Sequence, residues 1–152
     1  MSAEDVKGDI NFEISQIDNL LLKYADVLTS CREKEKPDLT EITTSASVLH
    51  SFYNGLENIF HTIAKQIDNS IPEGANWHKD LLQQIARQTD SRKAILTDDT
   101  EMICADFLAF RHFYRHSYSF MLDWDEFKQL VINLEKTWKI IKKEIQCFIE
   151  NI

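Results

Sequence analysis

The apolar residues of this chain recur at steps of three and four over most of its length, and that period decides the fold class. In the first segment Ile10, Ile14, Ile17, Leu21, Tyr24, Leu28 and Cys31 fall on one stripe of a helix. Ile42, Ala46, Leu49, Tyr53, Leu56, Phe60, Ile63 and Ile67 repeat the stepping in the second. The last segment runs from about Asp123 to the terminus through Phe127, Leu130, Leu134, Trp138, Ile141, Ile145, Phe148 and Ile152. A half-buried strand would alternate by two instead. Only three glycines and two prolines occur in 152 residues, too few for the turns that many short strands need.

The breaks are also written in the sequence. The charged run Arg32 to Lys36, then Pro37, closes the first segment, and Pro72 with Gly74 closes the second. These breaks leave hairpin-length pieces rather than one extended coiled coil. Asp38 with Glu41, Asp98 with Glu101, and Asp123 with Glu126 each pair an N-cap acceptor with an acid in the first turn. Asn76 opens a shorter helix from Trp77 to about Arg87, and Gln88 to Thr97 reads as a polar loop carrying Arg92 and Lys93. The expectation is an all-α fold of five helices, four in an antiparallel up-and-down bundle and one short addition. No internal repeat or long linker divides the chain, so residues 1–152 read as a single domain, large enough to bury a core without metal or disulfide support.

The formal charge of −8 repels nucleic acid, so any RNA binding requires a local basic patch or a dimer groove. Cys31, Cys104 and Cys147 have no metal or redox spacing, and an odd count of isolated cysteines suits free thiols in a reducing compartment. The first residues, Met-Ser-Ala-Glu-Asp, are acidic and lack an apolar signal core, and no apolar run approaches membrane-spanning length. A cytoplasmic location away from membranes is expected.

Against this acidic background one segment reverses sign. Between Phe107 and Leu122 there is no acidic residue, while Arg111, His112, Tyr114, Arg115, His116 and Tyr118 lie within eight positions. Arginine can hold a non-bridging phosphate oxygen and the charge that develops on it. Histidine can remove the proton of a ribose 2′-hydroxyl or protonate a leaving oxygen near neutral pH. Together they suit cleavage of a phosphodiester without a metal, with Tyr118 as a nearby hydroxyl able to bind phosphate or be modified. On an ideal helix His116 lies about 140° around the axis from Arg111. The two converge only if the helix loosens near Ser117 or a symmetry mate completes the site.

Blander assignments compete. Phe107, Phe110, Phe113, Tyr114 and Phe120 suit core packing. His112 and His116 have the spacing of two zinc ligands, but no third ligand is evident beside them. A solvated basic strip explains the charges equally well. Elsewhere, His50 and His61 read as surface or boundary residues and Glu57 as a solvated or hydrogen-bonded acid. Trp77 reads as a core anchor with His78 a candidate to lie beside the cluster, and Arg87, Arg92 and Lys93 as either a basic rim or simply a solvated loop.

Arg111-x4-His116-x-Tyr118 matches the R-x4-H-x-Y pattern of HepT toxins, members of the HEPN superfamily. The phrases Leu49 to Phe60, Trp77 to Leu82, and Phe110-Arg111-His112 followed by Tyr118-Ser119-Phe120 extend this resemblance over roughly residues 40 to 150. The resemblance implies a HEPN-like helical bundle that dimerises so that both motif helices face one cleft. It implies metal-independent RNA cleavage with Arg111 and His116 as the catalytic pair; beside them His112 and Arg115 are expected to support substrate binding, and no cofactor is expected. It further implies a nucleotidyltransferase antitoxin of the MNT type, which transfers AMP to Tyr118. Many HEPN motifs carry a small polar residue after the arginine where this chain has His112. A non-catalytic helical module that binds nucleotide or a nucleotidyltransferase remains the alternative.

Overall fold

Tyr24 interrupts the first stripe. In the computed structural model, which describes residues 2–152, the chain forms α1 (Ala3–Lys23) and α2 (Ala25–Glu33) where one continuous helix was expected. Tyr24 sits between them at φ −104° and ψ 16°, outside helical geometry, and its ring is exposed. Every other member of that stripe, from Ile10 to Cys31, is buried. The last stripe divides in the same way at Asn133 (φ −95°, ψ 5°), giving α6 (Trp124–Ile132) and α7 (Leu134–Glu150). Between these pairs lie α3 (Leu39–Gln66), α4 (Trp77–Ile85) and α5 (Asp98–Arg115). Among the described residues the five expected helices are therefore seven α-helices, because two of them bend.

The helix starts follow the local chemistry. Ser2 and Asp5 form a capping box on α1, and Asp38 with Glu41 forms the expected one on α3. Asp123 accepts from the backbone N–H of Asp125 as the cap of α6. At α5 the cap is Thr97, which accepts from the N–H of Thr100; Asp98 is the first helical residue rather than the cap. Asp98, Asp99 and Glu101 then fill its first turn and favour the helix dipole. Asn76 precedes α4 but its side chain makes no capping bond, and α4 stops at Ile85, short of the expected Arg87.

The longest helix, α3, is the axis of the bundle. Its residues pack on α1, α2, α4, α5 and α6. Gly55 is what lets α1 approach: a Cβ there would lie 2.8 Å from Cγ1 of Ile17. Antiparallel α5 crosses the opposite side, with Phe107 against Phe52 and Tyr114 against His50. On the far end Trp138 Nε1 donates to Asp18 at 2.7 Å and closes α7 on α1. The buried apolar side chains form one continuous cluster from Val6 to Ile149. Among the described residues there are no β-strands beyond an isolated bridge between Thr89 and Arg92, and no helix is long and apolar enough to cross a membrane.

Candidate functional site

The basic segment straddles the C-terminal end of α5. Arg111, His112, Tyr114 and Arg115 occupy its last turns, and His116 is the residue that ends it, at φ −109° and ψ 6°. The N–H of His116 bonds to the carbonyl of Phe113 at 3.1 Å, so the chain tightens there and leaves the helix. Tyr118 then precedes a short 3-10 turn, Ser119–Met121. The helix therefore ends one residue before Ser117, by a tightened turn rather than a loosened one.

That change of path does not bring Arg111 and His116 to one point within the chain. His116 packs against His112, the two rings 4.9 Å apart at 64°, and both residues are exposed. Arg111 turns inward instead, its side chain 15% exposed. Its Nε donates to Oδ1 of Asn54 at 3.4 Å and lies 3.8 Å from Oε1 of Glu57. Its Nη1 lies 3.5 Å from Nε2 of His78. Oε2 of Glu57 is in turn 2.7 Å from Nδ1 of His78, and the Trp77 ring stacks on that imidazole at 3.5 Å. Among the described residues Nη2 of Arg111 makes no hydrogen bond, which leaves that edge of the guanidinium for an incoming anion. A depression of about 540 Å³, lined by Asn54, Glu57, Asn58, His61 and Trp77, opens beside this cluster.

These partners carry only a weak signal in the sequence. Glu57 is buried and doubly engaged, and His78 is a direct neighbour of the arginine. His50 is half-buried against Tyr114, with its Nδ1 shielded and without a hydrogen-bond partner among the described residues. Burial, and then the charges of Arg111 and Arg115, push the His50 imidazole below its ordinary value. The available signal was a polar stripe on α3: His50, Asn54, Glu57, Asn58 and His61 recur at helical spacing beside the apolar one. Of the expected basic rim, Arg92 is buried against Asp68 at 2.7 Å, while Lys93 is exposed and Arg87, also exposed, pairs with Glu101 at 2.8 Å.

The outer face of the same helix is partly apolar. Met102 is 68% exposed and Phe113 40%, with Ala105 and Ala109 between them. Tyr118 and Phe120 stack on each other at 5.6 Å and are 73% and 70% exposed. Phe107 and Phe110 are core residues as expected, whereas Phe113 and Phe120 are not. Among the described residues no three His, Cys, Asp or Glu side chains are grouped to hold a metal ion.

The sequence profile described as HepT-like protein matches residues 44–152, which include α4, α5 and nearly all of α3. The chain belongs to the HepT-like family. The match takes in every residue of the Arg111 cluster as well as His116 and Tyr118. No curated protein and no solved structure shows a significant similarity to the chain. Within this HepT-like chain the motif arginine is thus a recessed residue braced by α3 and α4, and the motif histidine and tyrosine are surface residues.

Proposed function

We propose that the chain is a metal-independent endoribonuclease, acting as the toxin of a HEPN–nucleotidyltransferase pair and working as a homodimer. The observation that carries this reading is the orientation of Arg111: two helices brace its guanidinium while one edge stays free. Such a braced cation binds the scissile phosphate and the charge that grows on it with little reorganisation. His116 supplies acid–base chemistry, and His112 and Arg115 extend the contact to RNA. The two halves of the motif meet across a twofold axis, where the exposed stripe Met102–Ala105–Ala109–Phe113 packs on its mate. A second copy in that position sets His116 of one chain towards the Arg111 cleft of the other.

Tyr118 suits its proposed role because its side chain stands out in solvent. The antitoxin transfers AMP from ATP to the phenol oxygen: a bond forms to the α-phosphorus and pyrophosphate leaves. The added phosphodiester places a negative charge at the basic segment and opposes RNA.

A non-catalytic binding module is the second reading, favoured by the separate environments of Arg111 and His116 within one chain. Incubation with RNA in EDTA decides between them. Cleavage by the wild-type protein, lost in Arg111→Ala and in His116→Ala with the dimer retained, is the expected result. Mixing the two inactive variants is expected to restore part of the activity, because a shared-interface dimer rebuilds one intact site. Binding without cleavage leaves the module, and full activity of His116→Ala removes that residue from the mechanism.

A further inference from the structure

Glu57, its side chain 9% exposed, is an acidic residue inside the fold, as is Asp68 in its pair with Arg92. A carboxylate buried this far is costly unless charge and hydrogen bonds meet it. Here the Glu57 carboxylate faces His78 at 2.7 Å and the Arg111 guanidinium at 3.8 Å, from different helices. Neither contact is local in sequence, so the cluster exists only because α3, α4 and α5 converge.

We infer that His78 is an acid–base catalyst of this site, with Glu57 as its positioning residue; the inference rests on the ribonuclease reading. With Oε2 of Glu57 accepting at Nδ1, the proton of the neutral ring sits on Nδ1 and the lone pair on Nε2. That lone pair faces an N–H of Arg111 Nη1 at 3.5 Å, a long contact that an incoming oxygen displaces, beside the free guanidinium edge. An oxygen of a linkage bound at that edge is thereby brought beside Nε2, to which it can hydrogen bond. Trp77 holds the plane of the ring, and the His78 side chain keeps 20% exposure, so substrate can reach it.

The step balances without another reagent. Nε2 of His78 takes the proton of the ribose 2′-hydroxyl, and the 2′-oxygen bonds to phosphorus. The bond from phosphorus to the 5′-oxygen breaks, and that oxygen takes a proton from protonated His116. The products are a 2′,3′-cyclic phosphate and a 5′-hydroxyl. Glu57 faces the imidazolium that forms on His78, as a carboxylate does in other acid–base dyads. His116 needs its own proton and His78 needs its lone pair, so two imidazoles divide work that one cannot do in both directions at once.

The test uses the full-length wild-type protein and two variants, His78→Ala and Glu57→Gln, with single-turnover cleavage of a short RNA in EDTA. His78→Ala is expected to lower the rate by about 100- to 10,000-fold, with RNA affinity changed less than about threefold. Free imidazole is expected to restore part of the rate, which a merely structural role would not allow. Glu57→Gln is expected to slow the same step while thermal melting shows a folded chain. A wild-type rate in His78→Ala, or a loss that imidazole does not relieve, overturns the inference and leaves the ribonuclease reading standing. Should the wild type cleave nothing, that reading fails and the dyad is read directly by ¹⁵N resonances of the His78 ring during titration with inorganic phosphate. A saturable change at Nε2, absent in Arg111→Ala, supports the anion-facing imidazole; an unmoved ring overturns it.

Discussion

Asp68→Ala tests the clamp that holds α4, and hence Trp77 and His78, against α3. Asp68 lies just beyond α3, and its carboxylate accepts from Nε and Nη2 of Arg92 at 2.9 and 2.7 Å and from Nε2 of Gln84 at 2.8 Å. Both charged side chains are 3% exposed. Arg92 spends its remaining donors on the carbonyls of Gln84, Arg87 and Lys93 at 2.9 to 3.1 Å, stitching the end of α4 to the loop that follows. Removing the carboxylate leaves a guanidinium in the interior with only neutral partners. A buried pair broken from one side costs about 3–5 kcal/mol. For a chain of this size, about 2–4 °C per kcal/mol, the melting temperature falls by about 6–20 °C.

Urea unfolding followed by circular dichroism measures the loss, and hydrogen exchange locates it. Protection is expected to fall first in α4 and in residues 86–97, with α1 and α3 less affected. The double variant Asp68→Leu/Arg92→Met is expected to recover most of the stability. An apolar pair of similar volume carries no desolvated charge, and the freed carbonyls of Arg87 and Lys93 are near enough to solvent to bond water. A loss below about 1 kcal/mol in Asp68→Ala, the range of surface pairs, refutes the reasoning.

Two further outcomes follow from buried groups. The His50 imidazole, held below its ordinary value of 6.5, resists the proton that the unfolded chain accepts. Stability is therefore full above that pH and declines as pH drops through 6.5 towards the lower folded value. His50→Phe keeps a ring against Tyr114 and removes the titration, so its melting temperature should fall less than the wild type's between pH 7 and pH 5; equal falls refute the assignment. Cys104 is buried with its thiol pushed up to about 12 by desolvation, Cys31 is also buried and raised, and Cys147 is exposed. Iodoacetamide should label Cys147 alone in the native protein, and mass spectrometry finding early label on Cys104 would contradict the packing.

What the sequence could and could not disclose divides along local and tertiary lines. The stripes were legible because a buried helix face imposes its period on one segment at a time. The bends at Tyr24 and Asn133 were not, because the apolar phase continues across them: Leu21 and Leu28, seven apart, are buried on both sides of the first bend. The basic segment was legible as a density of residue types, and the helical wheel already set Arg111 and His116 on different faces. Its orientation was hidden, because Asn54 and Glu57, more than fifty positions earlier, decide where Arg111 points. The same logic hid His78, whose meaning depends on a carboxylate twenty-one residues away. A motif read along one helix supplies the chemistry of a site, but the helices that cross it choose the partner of each group. For this chain the choice couples the motif arginine to a histidine outside the motif, which is why variants at His78 and His116 together carry more information than either alone.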